Sequence, residues 1–139
     1  MIEVGQVLAL KIRFNNQGSR SSVSHPYIVI EVNDDYIGVL QFDSIRGKER
    51  KALFRSNKAI SCDNPKETVI DEDSFAQLDN KFTIENFAEL EKFRRQVDKL
   101  SSAKLKVLMK SYEDYQSKHV IDENKIVHMT AEEIKELNR

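Results

Sequence analysis

In the first half of the chain, apolar residues alternate with polar ones or gather in short runs. Leu8, Leu10, Ile12 and Phe14 alternate with Ala9, Lys11 and Arg13, the two-residue period of a strand. Residues 15–22 (NNQGSRSS) lack any large apolar side chain and read as a loop. Residues 27–32 (YIVIEV) are apolar and β-branched, 33–35 (NDD) carry turn chemistry, and 36–42 (YIGVLQF) resume the apolar pattern. The two runs predict a β-hairpin, with Gly38 marking a bulge or a close packing contact. Weaker strand patterns occupy 51–54 and 59–60, and residues 74–78 alternate again.

Beyond residue 80 the period lengthens. Phe87, Leu90, Phe93, Val97 and Leu100 recur at three and four residues, predicting a helix with Thr83 as its N-cap. Ser101 and Ser102 break that helix and can cap another, on which Leu105, Leu108, Met109 and Tyr112 share a face. Residues 125–129 read as an added strand or a linker. Thr130 and Glu133 then form a capping box, with Met129 and Ile134 as its hydrophobic staple, opening a short helix over about 131–138. Strands followed by helices predict an α+β fold, a small barrel or curled sheet with helices packed at one end, and argue against βαβ units.

At 139 residues and 40% hydrophobic content, the chain is one domain with enough apolar material for a core. The lone Cys62 excludes an internal disulfide, and no partner histidine lies near it in sequence. The N-terminal residues lack the pattern of a secretory signal, and no run reaches the ~18–20 apolar residues of a membrane span. The expectation is a cytoplasmic protein without membrane contact. A net charge of -1 conceals blocks of opposite sign: residues 46–58 carry six basic groups and one acidic, 63–91 two and nine, 92–110 seven and one. A basic excess within thirteen residues attracts a polyanion locally, or is a solvated loop paired with the acidic block.

The segments VGQV (4–7), HPYIVI (25–30), LQFDSIR (40–46), SFAQLD (74–79), FTI (82–84) and the helix after Leu100-Ser101 resemble, in order and spacing, the MazF/PemK/Kid family over roughly residues 4–116. The resemblance implies an SH3-like β-barrel with C-terminal helices, usually a homodimer. It also implies a metal-independent endoribonuclease without a cofactor, the toxin of a toxin–antitoxin pair. ToxN-like toxins, held by an RNA antitoxin, share the barrel, so the antitoxin is a protein or an RNA. His25 stands where the family has the arginine of Arg-Pro, and Asp43-Ser44 where it has Thr-Ser. The domain reading is a barrel with packed helices over 1–119 and a helical extension over 120–139.

Cleavage by the substrate's own 2′-hydroxyl needs acid–base groups and cations at the phosphate. The candidate catalytic residues are His25, Asp43, Ser44 and Arg46. Histidine has an ordinary pKa near neutrality, aspartate can act as base or orient the imidazole, serine can donate to a phosphate oxygen, and arginine can clamp it. Arg20, Lys48, Arg50 and Lys51 are candidate RNA-binding residues, and Phe42 or Tyr36 candidate stacking platforms. His119 and His128 read as surface residues at no metal-ligand spacing. Two other readings stay open: an inactive barrel that binds RNA or a protein partner, and a regulatory protein that associates through its opposed charge blocks.

Overall fold

The apolar runs at 27–32 and 36–42 need a partner on each face. A computed structural model, which describes residues 1–62 and 69–139, supplies both. The first part of the acidic block, residues 63–68, lies outside the described residues. Strands β2 (His25–Val32) and β3 (Tyr36–Ser44) form the expected antiparallel hairpin. The Asn33 carboxamide oxygen accepts from the Asp35 and Tyr36 amides at 3.0 and 2.9 Å, an Asx turn. The register slips between Val29 and Glu31, opposite Gly38 and Val39. A Cβ on Gly38 would come within 3.3 Å of the Glu31 Cβ, so the glycine fits the bulged strand against its neighbour.

Strand β1 (Val7–Leu10) pairs with β2. The nine-residue β3 serves two partners on its other side. Its first half pairs with β6 (Lys81–Glu85) and its last residues with β5 (Ser74–Gln77), which pairs in turn with β4 (Asn57–Ile60). Strand β7 (Ile126–Met129) lies parallel to β6, and every other pair is antiparallel. The hydrogen-bonded ladder is open. Side chains bridge the gap between β7 and the chain after β1: Arg13 and Asn16 donate to the His128 and Ile126 carbonyls at 3.0 and 2.8 Å.

Alternation splits the sheet between two cores. Leu8, Tyr27, Val29, Ile37, Val39, Phe82 and Ile84 enter a first cluster, closed by Val127 and Met129 of β7 and by Ile134 of helix α3 (Ala131–Leu137). Ile28, Ile30, Leu40 and Phe42 face a second cluster with Leu108 of helix α2 (Ser102–Lys118). Burial on both faces is why residues 27–30 are apolar without alternation. Each such side chain contributes about 1.5–3 kcal/mol. Residues 120–139 thus share a core with the N-terminal strands. Half of the expected capping box forms: Thr130 Oγ1 accepts from the Glu133 amide at 3.2 Å, while the Glu133 carboxylate turns to Arg13 instead of back to the Thr130 amide. Ser101 caps α2, accepting from Lys104.

The helix expected after Thr83 does not form. Thr83 sits within β6, a 3₁₀ stretch covers Ala88–Phe93, and the chain then runs extended along β1. Arg94 bridges Leu8, and the Arg95 and Leu100 amides donate to Val7 and Gly5. Leu90 enters the first cluster and Leu100 the second, while Val97 is exposed. Residues 49–52 form a single helical turn, α1 (Glu49–Ala52), in place of a strand over 51–54.

Candidate functional site

The start of β2 and the end of β3 lie side by side. Tyr27 opposes Gln41 in the outermost pair of the hairpin, with His25 two residues before it on β2 and Asp43 two residues past it on β3. By alternation, His25, Tyr27, Gln41 and Asp43 belong to the face of the first cluster. Tyr27 is 1% exposed, and its ring meets Phe82 edge-on at 6.4 Å. Burial pushes its phenol up to about 12; a hydrogen bond with Ser21 pulls the other way, and the Asp43 charge adds to the rise. Tyr27 is therefore a neutral post beneath the rim, with Ser21 and Asp43 around its hydroxyl.

Lys48 reaches the same place through a tight turn. Its amide donates to the Ile45 carbonyl at 2.7 Å, and Gly47 takes φ +75°, which glycine adopts without steric cost. Its ammonium stands 3.7 Å from Asp43 Oδ2, an ion pair without a hydrogen bond. The Lys48 side chain is 42% exposed, so the pair contributes under about 1 kcal/mol. A phosphate can therefore draw the ammonium away from the carboxylate at little cost. Arg20 is exposed beside Ser21, in a turn closed by the Arg13–Arg20 bridge and the Ser21 amide's bond to Ile12.

The other predicted residues go elsewhere. Ser44 is one residue past Asp43 in a regular ladder, so it belongs to the opposite face; its hydroxyl accepts from the Arg46 amide at 3.2 Å. The Arg46 guanidinium pairs with Glu72 at 3.1 Å. Arg50 and Lys51 project from α1 into solvent. Phe42 is buried in the second cluster and offers no stacking face. Tyr36 begins β3, about 23 Å along the strand from Asp43. Exposed aromatics lie instead at Phe14, which leaves the β1 alternation, and at Phe54 beside the basic turn. Their only signal in the sequence is an aromatic next to polar or basic neighbours. Tyr27 was hidden inside an aliphatic run.

Cys62 Sγ donates to the Ile70 carbonyl at 3.1 Å, and its amide donates to Asp73. The exposed His119 stacks on Tyr115, and His128 Nδ1 lies 2.7 Å from Thr83 Oγ1. Among the described residues no three His, Cys, Asp or Glu side chains group to hold a metal ion, and no helix is long and apolar enough to cross a membrane. Comparison with protein-family models, curated proteins and solved structures finds no match for the chain.

Proposed function

We propose that this chain is a metal-independent endoribonuclease of the MazF/PemK/Kid type, built on a small SH3-like barrel. It would cleave single-stranded RNA to a 2′,3′-cyclic phosphate as the homodimeric toxin of a toxin–antitoxin pair. One observation carries the reading. Asp43 and Lys48 pair at the end of β3 near the Tyr27 hydroxyl, and His25 lies two residues from Tyr27 on the neighbouring strand.

In this reading Asp43 takes the proton of the 2′-hydroxyl as its oxygen attacks the adjacent phosphorus. The His25 imidazolium gives a proton to the departing 5′ oxygen. Lys48 and Arg20 meet the negative charge that builds on the phosphorane. Ser44 and Arg46 shape the turn that delivers Lys48 and take no part in the chemistry. Arg50 and Lys51 hold flanking phosphates.

A second reading rests on Ser44 and Arg46. With Ser44 turned to the face opposite Asp43 and the Arg46 guanidinium beside Glu72, fewer groups stand at the phosphate than the resemblance implies, and the barrel would bind RNA without cutting it. Incubating single-stranded RNA with the protein in excess chelator separates the two. Cleavage leaving a cyclic phosphate, reduced about 100-fold or more in His25→Ala and in Asp43→Asn, supports the nuclease. Salt-dependent binding without product supports the second reading. Neither binding nor product removes both.

A further inference from the structure

Next to the proposed phosphate site, on the same sheet face, lies a niche of about 330 Å³. It opens where β3 passes from its β6 partner to its β5 partner, so the turn at 78–80 and the chain at 124–125 form its walls. That volume falls within the ~300–1,000 Å³ of small-molecule sites. Its chemistry is unusual for a gap between strands. Gln41, Gln77, Asn80 and Asn124 line it, together with the rings of Phe14 and Phe82.

Three of the four carboxamides are held in place, and the Gln41 carboxamide carries no hydrogen bond among the described residues. Asn80 is 6% exposed and donates to the Gln77 oxygen at 3.2 Å, which leaves the Gln77 N–H₂ group without a partner among the described residues. Asn124 accepts from the Asn16 amide at 3.0 Å. Lys125 and Asp79 close one wall as an ion pair at 2.7 Å. Phe14 stands at the lip, 42% exposed, although the alternation of β1 would turn it to the core. A large apolar ring left in solvent beside the open donor–acceptor fork of Gln41 and the N–H₂ groups of Gln77 and Asn124 is an arrangement that can stack and edge-read a planar heterocycle.

Distance supplies the link. Gln41 and Asp43 are two residues apart on one face of β3, about 7 Å. We infer that the niche is a nucleobase subsite, resting on the RNA-binding reading above: it takes one unpaired base adjacent to the phosphate held at Asp43 and Lys48. Phe14 stacks on the base and the Gln41 and Gln77 carboxamides read its edge. A carboxamide fork matches the N6 and N7 edge of adenine best, so adenine is the favoured base.

The test measures binding of labelled oligo(rA), oligo(rU) and oligo(rC) of eight nucleotides to the full chain and to Phe14→Ala, Phe14→Tyr and Gln41→Ala. Wild type is expected to hold oligo(rA) most tightly. Phe14→Ala should weaken all three by about tenfold, and Phe14→Tyr should restore binding. Gln41→Ala should abolish the preference for oligo(rA) while leaving oligo(rU) within about threefold. Far-ultraviolet circular dichroism confirms that each variant is folded. Wild-type binding that none of the variants alters, or that shows no preference for adenine, overturns the subsite and leaves the phosphate site standing. Absence of RNA binding by wild type overturns both.

Discussion

Arg13 joins its own loop to β7 and α3 through four partner residues, and removing its guanidinium should cost far more than an ordinary surface ion pair. Nε and Nη2 bond both oxygens of Glu133 on α3, at 2.7 and 3.3 Å. The remaining hydrogen bonds reach the Asn15 carbonyl, the Asn16 side chain and the His128 carbonyl of β7. The two charged side chains are 19% and 27% exposed, between the surface and buried regimes. Exposed pairs contribute about 0–1 kcal/mol, and breaking a buried one costs about 3–5 kcal/mol. Arg13→Met keeps most of the stem and leaves Glu133 and the His128 carbonyl without their donors. The expected loss is about 2–3 kcal/mol in urea unfolding, or roughly 5–10 °C in Tm for a chain of this size. Arg13→Lys should recover less than half, because a point charge cannot span both carboxylate oxygens. A double-mutant cycle with Glu133→Gln should give a coupling above about 1 kcal/mol. A loss under about 0.5 kcal/mol for Arg13→Met would refute the claim that this residue fastens the C-terminal segment to the strands.

Three further outcomes are expected. Between the ordinary tyrosine value near 10 and the Tyr27 value of about 12, the unfolded chain releases a proton that the fold retains, so stability falls as pH rises through that window. Tyr27→Phe should remove on the order of 1 kcal/mol of that fall by pH 11, and matching urea curves for both proteins at pH 9 and 11 would contradict it. Thr130→Ala should cost about 1 kcal/mol through loss of the cap on α3, with Thr130→Ser close to wild type in the same assay. Reversing Arg50 and Lys51 to glutamate should weaken RNA binding for every sequence and lower the salt-dependence slope by one to two, roughly 0.7 per lost phosphate contact. An unchanged slope would place the phosphates elsewhere.

Local chemistry made some elements readable in advance. The β2–β3 hairpin follows from two apolar runs flanking an Asn-Asp-Asp turn. Ser101 and Thr130 start their helices because each can accept from an amide three residues on. The segment from Phe87 to Leu100 misleads because its three- and four-residue spacing mimics a helical stripe. Its apolar residues in fact enter two different cores, and its backbone bonds β1, more than eighty residues away. No local pattern encodes such pairing. The candidate site is similarly divided. Asp43, Lys48 and His25 were visible as acid, cation and imidazole near strand ends. Ser44 looked equivalent to Asp43, yet alternation sends adjacent residues to opposite faces. Gln41, Gln77 and Asn124 gather only through long-range folding and left no motif.

The parallel pairing of β7 with β6 bears on how the protein is made. Lys81 waits for Ile126, and Lys11 exchanges hydrogen bonds with Asn138 across 127 positions. A nascent chain emerging from the ribosome cannot fill its first hydrophobic cluster until Val127, Met129 and Ile134 have been synthesised and released from the exit tunnel. Contacts this distant make for slow folding. His25 and Asp43 are therefore translated early but supported late, and the interior stays unfinished until α3 is free to dock.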